Sequence, residues 1–176
     1  HRISTADTIH NVRRLMQAGA HAIKLEGADV QTCCTIEAIV TAGVPVMGHL
    51  GLTPQSVHQL GGYKVQGKQK AHAEHLMEQA LALEASGCFA LVIECVPEDL
   101  ARRITQALKI PTIGIGAGVH TDGQILVWHD LLGLQTEFLP RFAKQFIQTQ
   151  ALLLQAINHY ASDVRKASFP APEHTY

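Results

Sequence analysis

The chain has 176 residues, 47% of them hydrophobic and 16% charged, with a formal net charge of -1 at pH 7. The length suits a single domain over residues 1–176 with a sizeable core, and the apolar share excludes a disordered chain. The near-neutral charge gives no basic field for nucleic acid, and no apolar run approaches the ~20 residues that cross a bilayer, so the expected partner is a small molecule, with no nucleic acid and no membrane.

Residues 5–18 carry Ile9, Val12, Leu15 and Met16 at helical spacing, with Gly19 placed to end the helix. Residues 20–26 read as a strand whose period of two puts Lys24 and Glu26 on one face. A helix through Thr35–Thr41 stops at Gly43, and a second strand, 44–50, ends at His49 and Leu50. The stretch 51–67 holds Thr53-Pro54, Gly61-Gly62 and Gly67, the turn chemistry of a long loop, and loops of that length in compact domains are usually functional.

A helix is expected over 71–86, then a third strand over 89–94. Its apolar run Leu91-Val-Ile suits a strand buried on both faces, and Glu94 falls at its tip. Pro97 opens the next helix, 98–108. A fourth strand at 111–115 runs into Gly114-Ile-Gly-Ala-Gly118, and a fifth apolar run spans 125–128. From Phe142 the residues Phe142, Phe146, Leu153, Ile157 and Val164 recur at spacings that fit one long amphipathic helix. Short strands alternating with helices imply a parallel α/β sheet, either open or closed into a barrel.

Three strand tips carry chemistry: Lys24 with Glu26, then His49, then Glu94. In α/β folds the C-terminal ends of strands are where ligands bind, and in a barrel neighbouring tips converge on one mouth. Each residue also has a plainer reading: an ion pair for Lys24 and Glu26, a satisfied core histidine for His49, a solvated strand end for Glu94. The joint occurrence favours a site. The glycine run lacks the last glycine of a dinucleotide fingerprint, since Val119 stands there, and reads as close backbone packing. His72 and His75 lie three apart on a helix, without further ligands at metal spacing, and read as a solvated face. The four cysteines form neither a disulfide framework nor a zinc knuckle and read as reduced thiols. The chain opens on His1 without a signal peptide, which suggests a cytoplasmic protein and an opening inside something longer.

The phrases Lys24-Leu-Glu-Gly27, Gly48-His-Leu-Gly-Leu-Thr-Pro54, Gly61-Gly-Tyr-Lys-Val-Gln-Gly67, Val92-Ile-Glu-Cys-Val-Pro97, Gly114-Ile-Gly-Ala-Gly118 and Asp122-Gly-Gln-Ile-Leu-Val127 closely resemble the ketopantoate hydroxymethyltransferase family, in its order. The resemblance covers essentially this whole chain and about the last two thirds of the family's enzyme. It implies a (β/α)8 TIM barrel of the phosphoenolpyruvate/pyruvate superfamily, here a partial barrel lacking the first strands, and homo-oligomers. It also implies transfer of a hydroxymethyl group from 5,10-methylenetetrahydrofolate to 3-methyl-2-oxobutanoate, with Mg2+ as cofactor, on the way to pantothenate.

By the same resemblance Glu94 is the general base, Lys24 contacts the oxoacid, His49 stands near the substrate and Glu26 is a magnesium carboxylate. Ala28 replaces the family's second glycine after Glu26. The family's two metal-binding aspartates have no counterpart in these residues. A non-catalytic assembly partner of a complete enzyme is therefore the alternative function.

Overall fold

The computed structural model describes residues 4–135 and 138–176, and their contacts cluster into two units, 1–125 and 126–176. In the first unit the elements run α1 (Thr5–Gln17), β1 (Ile23–Glu26), α2 (Val30–Thr41), β2 (Val46–Gly51), α3 (Lys70–Ala85), β3 (Ala90–Glu94), α4 (Glu98–Ala107), β4 (Thr112–Ile115) and β5 (Gly123–Gln124). Ser4 and Asp29 start α1 and α2 by accepting the Asp7 and Thr32 backbone N–H groups, as N-cap side chains do. Pro97 precedes α4, and Glu98 and Asp99 place negative charge in its first turn.

The five strands form one parallel sheet in the order β1-β2-β3-β4-β5. Each strand is followed in space by the next in sequence, and the order never reverses. The sheet is therefore singly wound, and it has no switch point of the kind that marks doubly wound folds. Register and the two-residue period divide its side chains cleanly. Ile23, Val46, Leu50, Leu91 and Ile93 face the helices and join Ile36, Ile39, Leu76, Leu83, Leu100 and Ile104 in the core. Lys24, Glu26, His49, Val92 and Glu94 stand on the opposite face. β3 lies at the centre, and its four residues from Ala90 to Ile93 are all buried, as the unbroken apolar run requires.

At the start of β4, Thr112 is fully buried and its backbone N–H and hydroxyl both donate to Asp122 Oδ2, at 2.7 and 3.0 Å. The Thr112 backbone N–H, then its hydroxyl, holds the Asp122 carboxyl below its ordinary range. This contribution is present above the ordinary carboxylate pKa and fades as pH falls through the lowered folded value, so it is lost only in acid. Asp122→Ala is expected to cost about 1–2 kcal/mol in chemical denaturation at pH 7, because a buried N–H loses its acceptor, and the difference from the unsubstituted chain should shrink below pH 4.

Two expectations are corrected. The fifth strand is Gly123–Gln124, not the apolar run 125–128: the ladder ends where Ile125 N–H donates to Gly114, and Trp128 already begins a helix. The long helix does not start at Phe142. In the second unit the described helices are α5 (Trp128–Leu131) and α6 (Thr149–Arg165), and residues 138–148 form no helix. Phe146 N–H donates to Leu131 and Thr149 N–H to Leu132, so this backbone bonds to the end of α5 instead of coiling on itself. Tyr160 meets Phe169 edge-on, with ring centroids 5.5 Å apart, and Phe169 in turn meets His174. Among the described residues no helix is long and apolar enough to cross a membrane.

Candidate active site

Parallel pairing sets Glu26 directly beside His49, and Glu94 beside Gly51, at the C-terminal ends of three adjacent strands. His49 is 1% exposed, although it lies among the charged residues of the sheet. Its Nε2 lies 3.1 Å from Glu94 Oε2 and its Nδ1 lies 3.5 Å from Glu26 Oε1. The structure thus brings three of the four expected residues into one line, carboxylate, imidazole, carboxylate. Lys24 shares their face, one period before Glu26, and is exposed.

Although both ring nitrogens stand at ion-pair distance from carboxylates, neither is aligned as a hydrogen bond. A buried polar atom left in that state costs about 1–3 kcal/mol, and such groups gather where substrate completes the geometry. The second oxygen of Glu26 accepts the Gln55 backbone N–H at 3.1 Å. Gln55 sits in a short 3-10 turn that Pro54 opens. Sequence reasoning read this stretch as loop and missed the contact, although Thr53-Pro54 directly after a strand signals a helical first turn with its N–H groups free to face an anion.

The peptide carbonyls around the base candidate tie down the long loop. Leu52 N–H donates to Glu94 O and Gln66 N–H to Cys95 O, both at 2.8 Å, so the two ends of the segment 52–66 are fastened to the tip of β3. Cys95 adopts φ +49, a left-handed conformation uncommon outside glycine, and its N–H donates to Ile115. Burial, then the neighbouring Glu94 charge, pushes the Cys95 thiol up to about 11, so it stays protonated at neutral pH and is no rival nucleophile. All four cysteines are free, with Cys88 and Cys95 buried.

A cavity of about 230 Å³ is lined by Lys24 and Glu26 together with Thr5, Thr8, Gln31 and Gln55. Ile23 and Leu25 line it too, so it wraps the free edge of β1 and does not open on the charged face alone. The motifs outside the site behave as packing. Gly118 lies against Glu98, where a Cβ would come within 2.3 Å of Cγ, and His72 Nδ1 accepts the Gly67 N–H. His75 pairs with Glu78.

A sequence model of the ketopantoate hydroxymethyltransferase family matches residues 1–172. The chain belongs to that family. Among its relatives, the 3-methyl-2-oxobutanoate hydroxymethyltransferase of Legionella pneumophila (strain Paris) is 60% identical over all of this chain and 67% of its own length. Enzymes of the same name from Heliobacterium modesticaldum and Francisella tularensis (strain SCHU S4 / Schu 4) are each 51% identical, over 63% and 66% of their lengths. This family member is accordingly one of a group of transferases, and it spans about two thirds of those relatives. A solved structure assigned as a phosphonomutase from Burkholderia cenocepacia J2315 aligns with 93% of this chain and 64% of its own at a TM-score of 0.49 and 15% identity, a likeness from which nothing about function follows.

Proposed function

We propose that the chain supplies the proton-abstracting part of a 3-methyl-2-oxobutanoate hydroxymethyltransferase site, on a sheet that forms part of a (β/α)8 barrel. The observation that carries this reading is the Glu26–His49–Glu94 line at three consecutive strand tips of a singly wound sheet. Glu94 is the base: one carboxylate oxygen takes the proton from the carbon next to the keto group, and the electron pair of that C–H bond becomes the enolate. The enolate carbon bonds to the one-carbon unit of 5,10-methylenetetrahydrofolate. Water supplies the hydroxyl oxygen, and tetrahydrofolate departs with hydrogen restored to its nitrogens. Lys24, a cation on the same face, holds the oxoacid carboxylate.

Magnesium, when bound, polarises the keto oxygen and favours the enolate. Glu26 would be one of its carboxylates, with an oxygen already directed at His49. Among the described residues, however, no group of three or more His, Cys, Asp or Glu side chains could hold a metal ion. These residues alone do not make a complete magnesium site.

Mixing the chain with oxoacid, 5,10-methylenetetrahydrofolate and Mg2+ tests the reading. Exchange of the oxoacid C3 hydrogen with solvent is the expected result, since proton abstraction is the part assigned to these residues. A chain that exchanges none, but enters mixed oligomers with a longer relative by native mass spectrometry, would instead be an assembly partner.

A further inference from the structure

The imidazole of His49 has two nitrogens, and each faces a carboxylate: Nε2 at 3.1 Å from Glu94 and Nδ1 at 3.5 Å from Glu26. Both nitrogens stand against carboxylates, and neither is turned towards open solvent. The ring is also sealed, at 1% exposure, while the carboxylates that flank it are 8% and 15% exposed at their side chains. Anything arriving at the strand tips meets the glutamates first. The ring sits on β2, between β1 and β3, and the backbone around it is fixed: Gly27 N–H donates to His49 O, and β2 is bonded to both neighbours.

We propose that His49 is a positioning residue, a rigid spacer that holds the Glu94 and Glu26 carboxylates in their working orientations and does not itself grip the oxoacid. The role rests on the reading of Glu94 as the base, and it differs from the substrate contact that family resemblance implies. A side chain locked by strand pairing on both sides is well suited to the task, since catalytic groups must be held to within a fraction of an ångström.

The test follows exchange of the oxoacid C3 hydrogen with deuterium oxide by proton NMR, over a range of oxoacid concentrations. His49→Ala should lower kcat for exchange on the order of 10- to 100-fold, with KM for the oxoacid within about twofold of the unsubstituted value. His49→Gln, whose amide can reach one carboxylate, should recover part of kcat. A KM raised tenfold or more with kcat kept would show that His49 binds the substrate, and the proposal would fall while Glu94 kept its role. Exchange undiminished in Glu94→Gln, or absent from the unsubstituted chain, would remove the base and the proposal with it.

Nitrogen-15 NMR of the substrate-free protein covers the case in which His49→Ala does not fold. Glu94→Gln should move the His49 Nε2 resonance and Glu26→Gln the Nδ1 resonance. If neither responds, the pairing does not exist in solution and the proposal is wrong.

Discussion

Glu94→Gln is expected to lower C3 hydrogen exchange of 3-methyl-2-oxobutanoate by 10²- to 10⁴-fold, the range that a positioned general base contributes. The substitution keeps the shape of the side chain and removes only its capacity to accept a full proton. The fold should survive, because Glu94 joins the β3–β4 ladder through its backbone and its side chain is not part of the core. Its carbonyl would still accept the Leu52 N–H, so the long loop stays fastened. Circular dichroism and the thermal midpoint should therefore change little while exchange collapses. A variant that exchanges normally would show that another group takes the proton.

Gly51→Ala should be the most destabilising single-methyl change at the site, at about 2–6 kcal/mol in chemical denaturation. Two effects add. Gly51 adopts φ +90, which a residue with a Cβ occupies at a cost of ~1–3 kcal/mol. A Cβ there would also stand 2.0 Å from the Glu94 carbonyl oxygen and 2.9 Å from Val96 Cγ1, and overpacking adds ~1–3 kcal/mol. The oxygen is backbone, and it is held by the Leu52 N–H, so it cannot turn aside. Gly19→Ala is the control. Gly19 has φ +100 with nothing within 4 Å of a built Cβ, so it should suffer the conformational cost alone, ~1–3 kcal/mol. Equal losses at the two positions would mean that backbone conformation, and not the contact with Glu94, sets the effect.

The charged strand tips were legible because a strand's period of two and its length place Lys24, Glu26, His49 and Glu94 without tertiary information. β3 read well because a short run of apolar residues with no polar interruption, closed by Pro97, suits a central strand. What sequence could not supply was the pairing register. Opposition of Glu26 to His49 depends on Ile23 lying beside Val46, and a shift of one residue would have turned His49 to the other face of the sheet. The false strand at 125–128 and the early start of the last helix share a cause. Both expectations followed hydrophobic spacing, whereas the backbone at those places is committed to other partners, Ile125 to Gly114 and Phe146 to Leu131. The Gln55 contact to Glu26 lies 29 residues away in sequence and comes through a backbone N–H, a group that no residue type advertises.

If the tips of β1, β2 and β3 make one oxoacid site with Glu94 as its base, a crystal of the chain soaked with 3-methyl-2-oxobutanoate should show it. The oxoacid is expected on the face that carries Lys24, Glu26 and Glu94, with its carboxylate towards Lys24 and its C3 about 3–3.5 Å from a Glu94 carboxylate oxygen, the separation of a reactive pose. An oxoacid seated in the cavity at the outer edge of β1, out of reach of Glu94, would contradict it.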